Sequence, residues 1–327
     1  MSIHLRVLAF FGSRGPTMLL GGVLLGLAAP WLADVARPLM GVAVFIFTTG
    51  AFLKVDHAAF VAEASNKRWI AATLAWSTFG VPLLMLAIVK TIRPDPALAQ
   101  GLLLCALAPP VGAAAAIAAM LRLNATLALL VTVLQTAVTP LYLPALSVWL
   151  AGYHLSIDPV DMTVRLLAIV GGAGFAAGLL RRYARTFVSN SPDAMTGIAV
   201  LGLILVSVGA MRGMQTYLMA NPGTVAMYVA TAFLVNVGFQ AAGAALFLPA
   251  GTIRARTVGL LSGNRNVTLM WVAAGTSLSG QPHIELLLAM SLLPIFMLPA
   301  ASNWLLGVLR PLGVHTGCET ADGVARP

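Results

Sequence analysis

An arginine flanked by polar residues lies inside a very apolar stretch of this chain. The segment LLSGNRNVTLMW, residues 260–271, carries Arg265 about ten residues into an apolar run. Guanidinium and amide groups are hydrogen-bond donors suited to an anionic ligand. The cluster therefore predicts an anion-binding site. Its members are Ser262, Asn264, Arg265, Asn266 and Thr268.

Composition shows what surrounds this cluster. Hydrophobic residues make up 59% of the 327 residues and charged residues only 9%, with a mean hydropathy of +0.93. A soluble domain carries about 25% charged residues. We therefore expect an integral membrane protein in a plasma (bacterial inner) membrane, with the lipid bilayer as its surroundings. The net charge of +9 is spread over short loops, which is typical of the positive-inside rule and not of a nucleic-acid-binding face.

The spacing of Pro, Gly and charged residues divides the chain into ten apolar segments. A bilayer core of about 30 Å needs about 20 apolar residues per helix. The predicted spans are 16–33, 38–55, 69–90, 97–121, 125–150, 162–181, 194–213, 223–248, 254–277 and 284–308. One side of this layout holds thirteen Lys and Arg and the other holds five, with Arg265 apart. The bias predicts that both termini are cytoplasmic.

Ten spans allow an internal repeat. Two halves of five spans, about 16–150 and 162–308, must be inverted relative to one another. We expect one ten-span domain over 1–310, followed by a short polar cytoplasmic tail over 311–327. The fold class is thus an all-α polytopic membrane protein of ten transmembrane helices in two inverted five-helix repeats.

The fourth span of each half contains a helix break. Residues 108–116 read APPVGAAAA and residues 262–266 read SGNRN. Proline removes a backbone donor and glycine tolerates unusual dihedral angles. Broken helices at matched positions indicate a transporter's binding site, although either break alone could be a simple kink. The predicted break residues are Pro109, Pro110, Gly112 and Gly263, and Gly112 and Ala113 join the predicted substrate site.

Alternatives remain for the polar residues. The Arg265 side chain could snorkel towards the membrane surface near Arg254 and Arg256, but a snorkelling arginine does not need polar residues beside it. Thr132, Gln135, Thr136 and Thr139 share one helix face, either as an ion site or as structural hydrogen bonds. Asn236 and Gln240 are interpreted as structural.

Acidic residues and histidines lie near span ends, in loops or in the tail. No metal-ligand spacing, general base or nucleophile is found within the apolar segments, so we expect neither a metal or other cofactor nor an enzyme. Repeated polar residues that would line a channel pore are also missing.

At this point the chain resembles the bile acid:sodium symporter (BASS) superfamily. The resemblance is most specific over APPVGAAAAIAAMLRLNATLALLVTVLQTAVTPLYLPAL, where Pro110, Gly112, Arg122, Asn124, Thr132 and Pro140 fit the family pattern. Pro82 after the polar Ser77 in the third span fits it as well. It implies a core domain and a panel domain, with the unwound fourth and ninth helices crossing. It also implies transport of an organic anion. Possible ion-coupling residues are Ser77, Thr132, Gln135, Thr136 and Thr257.

The departures from the family pattern concern sodium. A Ser-Asn pair that supplies sodium ligands in relatives corresponds here to Ala115 and Ala116, and a glutamate corresponds to Thr257. We therefore doubt sodium coupling. The hypothesis is that Arg265 is a fixed cation that does electrostatically what bound sodium does in relatives, and that it pairs with a small organic anion.

Two other functions stay open. One is an arsenite-permease-like efflux carrier, although Cys105 is five residues before Pro110 and off the register that such a carrier needs. The other is a non-transporting membrane receptor on a transporter scaffold, against which the retained GNRN cluster argues. Substrate, coupling ion, direction and oligomeric state are not predicted.

Overall fold

The computed structural model describes residues 15–54, 67–151, 158–184, 192–278 and 280–309, and this part of the chain is helical without a β-strand. The predicted tail over 311–327 lies outside the described residues. The helices are α1 Gly15–Ala28, α2 Pro30–Ala36, α3 Met40–Leu53, α4 Lys67–Ala75, α5 Val81–Ile92, α6 Pro96–Leu107, α7 Ala114–Met120, α8 Ala125–Ala151, α9 Pro159–Leu166, α10 Gly172–Tyr183, α11 Pro192–Gly209, α12 Met214–Ala220, α13 Pro222–Leu246, α14 Thr252–Gly263, α15 Val267–Ala274 and α16 Pro282–Leu309.

Short irregular turns join several of these helices into longer rods. π-Helical turns at Trp76–Gly80 and Leu167–Gly171 link α4 to α5 and α9 to α10. Within the described residues, six rods are long and apolar enough to cross a membrane, and the bent pair Thr196–Gly209 and Met214–Ala220 makes a seventh. The protein is therefore a helical integral membrane protein.

The first predicted spans differ from the structure at their junction. The prediction ended the first span at residue 33, whereas α1 ends at Ala28 and a new helix starts at Pro30. Ala29 has φ −126° and ψ 78°, outside the helical region. Proline cannot donate to the preceding turn but fits the first position of a helix. The chain therefore turns before Pro30, and α2 continues through Arg37–Leu39 into α3.

The helices pack in two groups. In the first helix group, α1–α3 and α9–α12, helix α11 packs against α1, α2 and α3, and α10 packs against α3. In the second helix group, α4–α8 and α13–α16, helix α13 packs against α14 and α16, while α6 contacts α5, α8 and α16. The groups meet where α8 contacts α9, where α15 contacts α3 and α9, and where α16 contacts α1.

Side-chain contacts define the two ends of the bundle. At one end, Arg37 pairs with Glu285 at 2.9 Å. At the other, Arg181 donates hydrogen bonds to the carbonyl oxygens of Phe52 and Leu53 at 2.9 and 3.0 Å, beside Lys54. We call these the Arg37 end and the Lys54 end.

Candidate functional site at the crossing of two broken helices

Two interrupted helices cross and pair through their backbones. Helix α6 ends at Leu107 and α7 begins at Ala114, while α14 ends at Gly263 and α15 begins at Val267. The Val111 N–H donates to the Asn264 carbonyl at 2.8 Å, and the Asn266 N–H donates to the Pro109 carbonyl at 2.6 Å. These bonds form an antiparallel bridge between Pro110 and Arg265.

The pairing satisfies backbone groups that the breaks expose. Pro109 and Pro110 carry no N–H, so α6 cannot continue, and buried peptide groups need partners elsewhere. The structure places all four predicted break residues at or beside this bridge: Pro109, Pro110 and Gly112 in one segment and Gly263 in the other. Ala113 directly precedes α7.

The Arg265 side chain is buried in a cage of three oxygen atoms, with only 3% of the residue exposed. Nη1 donates to the Ser77 hydroxyl at 2.6 Å. Nη2 donates to the carbonyl oxygens of Ser77 and Ala106, each at 2.8 Å. We call these three acceptors the oxygen cage. The arginine is therefore held inside the second helix group and does not snorkel to the surface.

Local sequence explains why two carbonyl oxygens are available to the arginine. In the π-helical turn, the Val81 N–H is bound to the Trp76 carbonyl, and the next residue is Pro82, which has no N–H. The Ser77 carbonyl is thus left without a helical donor. Ala106 lies in the last turn of α6, where carbonyls lack partners and the helix dipole is negative. Both features favour a cation at this position.

The positive charge of Arg265 has no carboxylate partner among the described residues, whose ion pairs are Arg37–Glu285, Arg165–Asp161 and Arg212–Asp34. Two buried donors at the crossing, Arg265 Nε and Asn264 Nδ2, also have no hydrogen-bond partner there. The crossing therefore has a positive charge and a surplus of donors, which favours an anion nearby.

Most of the polar residues that flank Arg265 support the crossing itself. Asn266 Oδ1 accepts from the Leu269 N–H at 3.1 Å and from the Thr268 hydroxyl at 2.8 Å, so it caps α15. Ser262 accepts from Trp76 Nε1 at 2.9 Å. Among the polar residues that flank Arg265, Asn264 has a side-chain donor, Nδ2, without a partner. Direct ligand contact by Ser262, Asn266 and Thr268 stays a prediction.

Asn236 was not predicted as part of the site, yet it braces the break. Its Nδ2 donates to the Gly263 carbonyl at 2.8 Å and to Asn264 Oδ1 at 3.1 Å. Gln240 Nε2 in turn donates to Asn236 Oδ1 at 2.6 Å. The i, i+4 spacing of the two amides signalled a structural pair, but it did not show which segment the pair holds.

The possible ion-coupling residues do not form one cluster of hydrogen bonds. Ser77 belongs to the oxygen cage, whereas the Thr257 hydroxyl accepts from the Asn124 N–H at 3.1 Å and donates to the Ile253 carbonyl at 2.7 Å. In α8, Thr132 Oγ1 and Gln135 Oε1 are buried without partners. Thr136, also in α8, is buried.

Two cavities flank these elements. A small one of about 20 Å³ lies between α6, α13, α16 and the α14–α15 break, with Cys105, Asn236, Arg265 and Ser291 among its lining residues. It has room for about one water molecule. A larger cleft of about 450 Å³ lies between α3, α8 and α10, with mostly apolar walls that include Phe52, Val133, Pro140 and Gly174, and with Arg181 lining it as well.

Comparison with known proteins agrees with the resemblance seen in the sequence. No curated protein matches the chain. The family model for the sodium bile acid symporter family matches residues 39–221, which is more than half of the chain and includes Ser77, the α6–α7 break and α8. This family is one of membrane transporters. The chain belongs to the sodium bile acid symporter family.

Proposed function

We propose that this protein is a secondary transporter of a small organic anion, in which the charge of Arg265 takes the place of a coupling sodium ion. The observation that carries the proposal is the oxygen cage: three oxygens bind one guanidinium group at the helix crossing. Oxygen atoms are also the ligands that hard cations prefer. A permanent cation in the cage removes the need for a bound one.

The residues around the cage support this substitution of arginine for sodium. Ala115 and Ala116 stand where relatives have sodium ligands, and neither carries a side-chain oxygen. Thr257 replaces a glutamate and is hydrogen-bonded to the turn before α8. An arginine beside a carboxylate would be neutralised, whereas Arg265 forms no ion pair among the described residues. Its field therefore favours an anionic substrate.

The proposed architecture is ten spans in two inverted repeats within one domain over 1–310. The first helix group serves as the panel and the second as the core. The breaks at the fourth and ninth spans support the repeat. Arg37, Arg165 and Arg212 belong to the sparsely charged side, so the Arg37 end faces outwards, and the Lys54 end and both termini face the cytoplasm of a bacterial inner membrane.

The cleft supports a substrate with an apolar body. Its volume of about 450 Å³ falls in the range of small-molecule sites, about 300–1,000 Å³. It lies between helices of the two groups, which is where a rocking motion of one group against the other exposes a ligand to alternate sides. Alternating access through this cleft would carry the anion across the membrane.

The test compares thermal unfolding of the purified protein in matched sodium and potassium buffers, with a panel of carboxylates and sulfonates added to each. We expect no difference between the two salts. A bound anion at 100 times its Kd should stabilise the protein by about 2.7 kcal/mol. That shift should vanish in Arg265→Met and persist in the control Arg256→Gln, whose arginine is exposed. A saturable, sodium-specific shift in the wild type would contradict the proposal.

A further inference from the structure

A second arginine, Arg37, contacts the opposite helix group. It lies in the short turn between α2 and α3, within the first helix group. Its Nη2 pairs with Glu285 Oε1 of α16 at 2.9 Å, with 19% and 23% of the two side chains exposed. Its Cζ lies 4.3 Å from the ring centroid of Trp271 in α15. Both partners belong to the second helix group, so Arg37 joins the two groups.

The other two ion pairs of the described residues stay within the first group. Arg165 pairs with Asp161 in the same helix, α9. Arg212, beyond the end of α11, pairs with Asp34 of α2. Among the described ion pairs, that of Arg37 therefore spans the boundary between groups. Since it is largely buried, salt screens it less than an exposed pair.

Towards the Lys54 end of the same boundary, a cleft separates the two helix groups. The 450 Å³ cleft separates α8 of the second group from α3 and α10 of the first, and Phe52 and Arg181 place part of its wall near the Lys54 end. The groups are thus held together at the Arg37 end and separated towards the Lys54 end. Transport by alternating access requires the reverse arrangement as well, and in that arrangement the Arg37 contacts must break.

Two hydrogen-bond donors in this contact lack acceptors, and this makes the contact easier to break. Arg37 Nη1 and Trp271 Nε1 are both buried without a hydrogen-bond partner. Buried donors without partners destabilise the state that buries them. The closed arrangement is therefore stabilised by the Arg37–Glu285 ion pair and destabilised by the two unpaired donors.

We propose that Arg37, Glu285 and Trp271 form the gate at the Arg37 end, which closes the transport path on that side and opens when the ion pair breaks. The gate rests on the alternating-access part of the proposed function. It does not depend on the identity of the anion or on the role of Arg265.

The test places a thiol reporter in the gate boundary. A Cβ added at Gly41 of α3 would lie 3.6 Å from Val272 Cγ1 of α15, so residue 272 faces the first group. Val272→Cys is introduced into the full chain with Cys318→Ser, and the remaining Cys105 is buried. The rate of reaction with a membrane-impermeant maleimide is measured on the reconstituted protein from the side of the Arg37 end.

Glu285→Gln and Arg37→Gln should each raise the labelling rate about fivefold or more, which corresponds to roughly 1 kcal/mol lost from the closed state. The exchanged pair, Arg37→Glu with Glu285→Arg, should return the rate towards that of the parent. Asp34→Asn is the matched control, because it breaks an ion pair within one group, and it should leave the rate unchanged.

An unchanged rate in both single variants, or an equal rise in Asp34→Asn, would overturn the gate. Monodispersity and wild-type-like unfolding of each variant exclude misfolding as the cause of a raised rate. Labelling that responds as expected while no anion stabilises the protein would leave the gate standing and remove the substrate assignment.

Discussion

The contact between Arg265 and Ser77 allows a quantitative test of the oxygen cage. In Ser77→Ala, the guanidinium loses the hydroxyl that it contacts at 2.6 Å but keeps both carbonyl oxygens. In Arg265→Met, the charge and all three bonds disappear together. A double-mutant cycle of these substitutions isolates the energy of the hydroxyl contact.

The expected coupling follows from the geometry. A hydrogen bond to a charged group contributes about 1.5–3 kcal/mol, and both residues are buried, at 1% and 3% exposure. Ser77→Ala should therefore cost about 1.5–3 kcal/mol in the wild type. It should cost close to nothing in Arg265→Met, where the hydroxyl has already lost its charged donor. Arg265→Met itself should change stability less than three lost bonds imply, because burying a charge costs several kcal/mol.

The assay is unfolding of the purified protein by SDS in mixed micelles, followed by tryptophan fluorescence. Ser207→Ala is the control, since Ser207 is buried but donates to the Leu203 carbonyl of its own helix. Its coupling to Arg265 should be near zero. If the effects of Ser77→Ala and Arg265→Met add within about 0.5 kcal/mol, the cage does not hold the arginine as described.

Three further substitutions test the crossing by the same unfolding measurement. Gly263→Ala should cost about 1–3 kcal/mol, because its Cβ would meet the Asn236 carbonyl, whereas Gly238→Ala, with no neighbour within 4 Å, should be neutral or slightly stabilising. Asn266→Ala should cost about 1 kcal/mol through loss of the α15 cap, and Asn266→Ser should restore most of it; equal losses in both would contradict the capping role. Thr257→Val should cost about 1–3 kcal/mol by leaving the Asn124 N–H without its acceptor, while Thr257→Ser should be mild.

Composition and local pattern predicted the membrane class and the positions of the helices. A helix is stabilised by bonds within its own segment, and a bilayer demands about 20 apolar residues for each crossing. Helices lie within each of the ten apolar segments, and among the described residues six of them, or seven with the bent pair, are long and apolar enough to cross a membrane. The junction near Pro30 was misplaced because Trp31, Leu32 and Val35 are as apolar as the residues of a span, and hydropathy alone could not separate the end of α1 from the start of α2.

The two breaks were also visible in the sequence. Consecutive prolines and the GNRN cluster are local obstacles to a helix, and both segments are interrupted where they occur. Pro82, five residues after Ser77, was a further local signal in the third span. It leaves the Ser77 carbonyl free once the chain adopts a π-helical turn.

The partners of Arg265 were decided by tertiary structure. Two of its three acceptors are backbone carbonyl oxygens. Every residue carries such an oxygen, so the residue type does not predict which one binds the arginine. Asn236 likewise acts on a segment 27 residues away. The amino-acid sequence by itself determined that a charged residue had to be accommodated within an apolar bundle. Only the tertiary structure determined which oxygen atoms surround it, because the π-helical turn before α5, the end of α6 and the α14–α15 break come together only when the fold is complete.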